Sequence, residues 1–98
     1  MTAYNVVRFR VKAGKDAEFI ALQKEAMIRP KGIRKIEMIK VADRSYCLIG
    51  EWDAMSDIVA ARPEMIASLD KVRHLLEDLG GSLGVTDPIS GEVVAKLA

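Results

Sequence analysis

An alternating strand running into a helix, two strands joined by a tight turn, and a helical region followed by a short apolar segment predict an α+β fold. The order is that of the ferredoxin-like β-α-β-β-α-β sandwich. Three observations carry this. YNVVRFRVK (residues 4–12) is rich in β-branched and aromatic residues and alternates in character. IRKIEMIKVA and SYCLIGEWD are separated only by a turn at Asp43-Arg44-Ser45, which makes them an antiparallel hairpin. Between and after these strands, apolar residues recur at helical spacing.

In chain order, the first strand places Asn5, Val7, Phe9 and Val11 on one face and Tyr4, Val6, Arg8, Arg10 and Lys12 on the other. Ala13-Gly14 ends it. KDAEFIALQKEAM then spaces Phe19, Leu22 and Ala26 as one face of a helix, with Asp16 and Glu18 in its first turn where the helix dipole favours acids. Pro30 and Gly32 close it, and the second strand spans 33–42. The third carries Cys47 and Ile49 on one face and Tyr46, Leu48 and Trp52 on the other. Apolar on both sides, it belongs in the middle of a sheet with material above and below. Asp53 caps a short helix over 54–62, and Pro63 opens a longer one with Ile66, Leu69, Val72, Leu76 and Leu79 as its stripe. Gly80-Gly81 supplies a left-handed stop, SLGVTDPISG is a loop, and EVVAKL is the fourth strand.

The 98 residues make one domain, 1–98. Fifteen basic and fourteen acidic side chains, interspersed, leave a net charge of +1, which argues against a nucleic-acid partner. The single cysteine forms no internal disulfide and fits no zinc spacing, so no metal is expected. There is no signal-like N-terminus and no run approaching ~18 apolar residues, so the expectation is a cytoplasmic protein with no membrane partner. Right-handed crossovers put both helices on one side of the sheet. The other side is bare yet carries large apolar residues, which predicts a homodimer packed sheet to sheet.

YNVVRFRVKAGKDAEF, a strand passing through V-K-x-G-K into an acidic helix bearing Phe19, and EWDAMSDIVA, a tryptophan followed at once by an acidic, alanine-rich helix, resemble the dimeric α/β-barrel superfamily. Within it the chain is similar to the antibiotic biosynthesis monooxygenase-like family. The resemblance spans nearly the whole chain and implies a ferredoxin-like dimer. It further implies cofactor-independent oxygenation of a quinol or phenol, or the haem degradation found among relatives. Family members often carry a glutamate two residues before the tryptophan, where this chain has Gly50. Haem-degrading relatives combine a first-strand asparagine, a tryptophan in the second helical region and a later histidine. Here Asn5 and His74 are present, but Ala61 stands near where the tryptophan would be.

Trp52 reads first as packing and Cys47 as an inert buried thiol. His74, the lone histidine, lies opposite the apolar stripe with Asp70 and Asp78 four residues to either side, as on a solvated helix face. Arg8 shares a face with Tyr4 and Arg10, with Tyr46 as a neighbour. It contacts an anionic or phenolate substrate, or forms an intersubunit ion pair with Glu37 or Glu51. The candidate ligand contacts are therefore Asn5, Arg8, Tyr46 and Trp52. The functional readings are a cofactor-free monooxygenase of a small aromatic, a non-catalytic dimer binding such a molecule, and a haem protein. The last requires a histidine facing the pocket, and His74 faces away.

Overall fold

The computed structural model describes residues 1–98. It contains β1 (Ala3–Arg10), α1 (Asp16–Ala26), β2 (Ile33–Ala42), β3 (Ser45–Trp52), α2 (Met55–Asp70), a 3-10 turn (Arg73–Leu75) and β4 (Asp87–Glu92). The four strands form one sheet in the order β2-β3-β1-β4, with every neighbouring pair antiparallel. This is the ferredoxin-like α+β arrangement that the sequence predicts.

The β1–β3 register opposes Ala3 to Trp52, Asn5 to Gly50, Val7 to Leu48 and Phe9 to Tyr46. These residues face the helices, and Ala3, Phe9, Tyr46 and Trp52 are the sheet's share of the core in these pairs. Phe9, Phe19 and Tyr46 pack together, with the two phenylalanine rings 5.0 Å apart and the tyrosine 6.0 Å from Phe9. A second cluster gathers Ala3, Trp52, Ile58 and Ala61. The opposite face carries Tyr4, Val6, Cys47 and Ile49, with Ile39 and Ile89 on the outer strands. No element of the chain covers it, and Ile39 and Ile89 are exposed. No helix is long and apolar enough to cross a membrane.

The structure departs from the sequence reading in its second half. Residues 54–79 do not form two helices meeting at Pro63. One helix runs from Met55 to Asp70 with Pro63 inside it. Proline removes a helical hydrogen bond to the residue four before it. Here both Pro63 and that residue, Val59, are on the exposed side, where water can serve the freed carbonyl. The helix then ends ten residues before Gly80-Gly81. Val72 and Leu76 are buried, but from a 3-10 turn and an extended segment in which Leu76 bridges Val11. Lys12 N–H donates to Leu75 O and Glu77 N–H to Arg10 O, both at 2.8 Å. Sheet-like pairing with the end of β1 therefore outcompetes continuation of the helix.

The fourth strand is also displaced. It is formed by DPISGE, within the segment read as a loop, and not by EVVAKL. After Glu92 one more pairing bond, Val93 N–H to Thr2 O, closes the ladder, and the tail beyond is extended and exposed. Neither burial nor alternation marks DPISGE, because as an edge strand it needs only the free backbone groups of β1. An edge also tolerates Pro88, whose missing N–H can face away from the partner strand.

Candidate functional site

Between the helix-facing side of the sheet and the two helices lies a cavity of about 470 Å³. Its floor is Asn5, Val7 and Leu48 from the sheet, flanked by Trp52. Its walls are the C-terminal half of α1 and the face of α2 bearing Ile58, Met65 and Leu69, and its edge is β4. The volume is in the usual range for small-molecule sites, and the lining is largely apolar.

The polar centre of the floor is a buried pair. Trp52 Nε1–H donates to Asn5 Oδ1 at 2.7 Å. An indole nitrogen can only donate, so the bond fixes the amide with its oxygen toward Trp52. The Nδ2 group then has no protein partner, in a residue that is 92% buried and lines the cavity. Gly50, opposite Asn5 on β3, makes the pair possible. A Cβ at that position would sit inside contact distance of Asn5 Oδ1 and 2.9 Å from Trp52 Nε1. This accounts for the glycine where the family resemblance suggests a glutamate two residues before the tryptophan. Any side chain there would displace the Asn5–Trp52 bond.

The four candidates from sequence separate. Asn5 and Trp52 meet at the cavity. Arg8 does not join them, because it is one step out of phase with Asn5 and Val7 and projects from the opposite face of the sheet. There, within the chain, it pairs with Asp87 across the β1–β4 edge at 3.2 Å. Tyr46 lies neither beside Arg8 nor in the cavity. It faces the helices opposite Phe9, and its hydroxyl donates to Asp16 on α1. That bond, followed by burial and the negative charge of Asp16, holds its pKa above the ordinary tyrosine value of 10.0. Tyr46 is thus a protonated strut between sheet and helix and not a base. His74 is exposed, lies in the 3-10 turn and lines no part of the cavity. Cys47 is on the outer face and only half-buried. No group of three or more His, Cys, Asp or Glu side chains is placed to hold a metal ion.

Two residues escaped the sequence reading. Gly50 was visible only as a departure from a family pattern. Arg62 lines the cavity from α2 and is the only charged side chain to do so. The one available signal was its phase, four residues after Ile58 and four before Ile66.

No protein-family model matches the sequence, and no curated protein matches it either. Solved structures do match its fold. SnoaB, a cofactor-independent oxygenase from Streptomyces nogalater, is 18% identical with a TM-score of 0.72, over 98% of this chain and 96% of that one. The chain has the fold of the antibiotic biosynthesis monooxygenases. A Bordetella bronchiseptica protein named for that family superposes with a TM-score of 0.75 at 14% identity, over 96% of this chain and 98% of its own. A conserved protein from Methanosarcina mazei Go1 gives 0.75 at 14%, over 94% and 92% of the two chains. The resemblance drawn from the two sequence motifs therefore holds at the level of the fold.

Two outcomes follow from this geometry. Gly50→Ala should destabilise the fold by about 1–3 kcal/mol, the range for overpacking a filled site. Its cost should shrink in an Asn5→Ala background, because the side chain it strikes is then gone; a double-mutant cycle by denaturant unfolding measures the coupling. The Tyr46–Asp16 bond should contribute fully below pH 10, where the phenol is protonated in both folded and unfolded chains. It is then lost as pH rises through the higher folded-state pKa. The stability gap between the parent and Tyr46→Phe, about 1–2 kcal/mol at neutral pH, should therefore close in alkali when unfolding is followed as a function of pH.

Proposed function

We propose that the protein binds a small aromatic molecule of quinol or phenol type between its sheet and helices and oxygenates it with dioxygen, without a cofactor. The observation that carries this reading is the apolar cavity with one fixed, unpaired amide donor, Asn5 Nδ2, on its floor. The fold shared with a cofactor-independent oxygenase supports it.

The chemistry asks little of the protein. A quinol that has lost a proton carries negative charge on oxygen, and a donor held in a water-poor site stabilises that charge. Trp52 and the aliphatic walls hold the ring in one orientation. The anion passes an electron to dioxygen, the two radicals join, and the hydroperoxide loses water. One oxygen atom enters the ring and the other leaves as water, so quinol plus dioxygen gives hydroxyquinone plus water, with all electrons supplied by the substrate. No Asp, Glu, His, Lys or Tyr lines the cavity. The proton accordingly goes to solvent, and turnover depends on the acidity of the substrate itself.

That same absence of a base favours one other reading, in which the protein binds the aromatic and does not transform it. Oxygen uptake with a panel of quinols separates the two. Under the oxygenase reading, uptake should be one dioxygen per quinol, and its rate should rise with pH along each substrate's own ionisation curve. Asn5→Ala should lower kcat by about 100-fold, as for loss of one oxyanion donor. Binding of the quinols without uptake at any pH would leave the non-catalytic reading standing.

The uncovered outer face, with Val6, Ile39, Ile49 and Ile89 together on one side of the sheet, supports a second copy as its partner. A homodimer of twice the 10.8 kDa chain mass should sediment at low micromolar concentration. Its melting temperature should rise with protein concentration. A monomer with a concentration-independent melt would rule this assembly out.

A further inference from the structure

Arg62 is the sole charge on the cavity wall, and nothing in the chain neutralises it. Arg8, Arg34, Arg44 and Arg73 each pair with a carboxylate; Arg10, Arg29 and Arg62 do not, and of these three only Arg62 lines the cavity. Arg62 has no hydrogen bond or ion pair. The residues three and four positions from it on α2 are Ile58, Val59, Met65 and Ile66, so no helical neighbour can serve. It interrupts an apolar stripe whose other members, Ile58, Met65 and Leu69, line the same cavity. The residue is exposed while lining the cavity, so its part of the wall is open to solvent. Among the buried residues of the cavity the unpartnered donor is Asn5 Nδ2, in a side chain 92% buried on the floor. Ser68, the other buried polar residue of the wall, is already committed, donating to Ala26 O at 2.8 Å. The cavity thus offers free donors on its floor and on its open wall, and carries one positive charge with no negative one.

We propose that Arg62 is an anion anchor and that the ligand is an amphipathic organic acid. Its aromatic or apolar body lies over Asn5 and Trp52, and its carboxylate or phenolate oxygen meets the guanidinium at the open wall. Guanidinium binds such oxyanions through charge-assisted, often bidentate, hydrogen bonds. A neutral hydrocarbon leaves this exposed cation to water and gains nothing from it; an acid pairs with it and is held in one orientation. This inference rests on the cavity being the ligand site proposed above, and it narrows the substrate class to acids.

A matched pair of fluorescent probes tests it: anilinonaphthalene sulfonate, an aromatic body with a fixed anion, and phenylnaphthylamine, the same body without the charge. The parent should bind the sulfonate more tightly than the neutral probe. Arg62→Gln, which keeps the apolar stem, should weaken the sulfonate by about tenfold or more, the loss typical of a charge-assisted bond. It should leave the neutral probe unchanged, which also reports that the variant is folded. Arg62→Lys should recover part of the loss, and added salt should weaken only the sulfonate. Met65→Trp, which fills the cavity, should abolish both. Equal effects of Arg62→Gln on the two probes, or no effect on either, would overturn the anchor while leaving the cavity as a ligand site. Failure of both probes to bind, or binding indifferent to Met65→Trp, would overturn the ligand site and the anchor together.

Discussion

The hydrogen bond from the Trp52 indole to Asn5 ties the two central strands together where the helix-facing side of the sheet borders the cavity. It does three things at once. It satisfies two polar groups that burial would otherwise penalise by about 1–3 kcal/mol apiece. It locks a large aromatic at the end of β3 against Ala3 and Ile58. And it turns the free half of the Asn5 amide toward the cavity. Gly50 is the condition for all three, since the register places it opposite Asn5. Packing and candidate site are here the same residues: Trp52 fixes the orientation of Asn5 by being packed.

The cavity exists because the helices are pinned at their ends and not along their lengths. Phe19 inserts beside Phe9, and Tyr46 reaches Asp16, at the start of α1. Ser68 ties α2 to the last turn of α1. Between these points the sheet presents small or flat surfaces, Asn5, Val7 and Gly50, and the space above them is not filled.

Charge is distributed with comparable economy. Ion pairs such as Arg8–Asp87 and Arg34–Asp53 lie at strand edges and termini, where their individual contributions are small. Arg44 is used differently. It occupies a left-handed turn conformation at φ 57°, its carbonyl accepts from Val11 N–H at 2.8 Å, and its guanidinium reaches Val11 O and Glu77. It thereby fastens the β2–β3 turn to the segment after the 3-10 turn and closes the end of the core remote from the cavity.

By itself the sequence determined the ferredoxin-like fold class, the alternation of faces along β1 and along β3, the bounds of β2 and the bareness of the outer sheet face. Each follows from an alternation or spacing that burial imposes locally. It named Asn5, Arg8, Tyr46 and Trp52 as candidate contacts; the fold brings Asn5 and Trp52 together at the cavity, whereas parity along β1 places Arg8 on the other face and Tyr46 is bonded to α1. Only the tertiary structure decided the rest, and the reason is the same in each case: the deciding partner is distant in sequence. DPISGE is a strand because β1 has a free edge, α2 stops at Asp70 because the following residues bond to the end of β1, Gly50 is required because Asn5 stands opposite, and Arg62 stands alone because the fold brings no carboxylate to it.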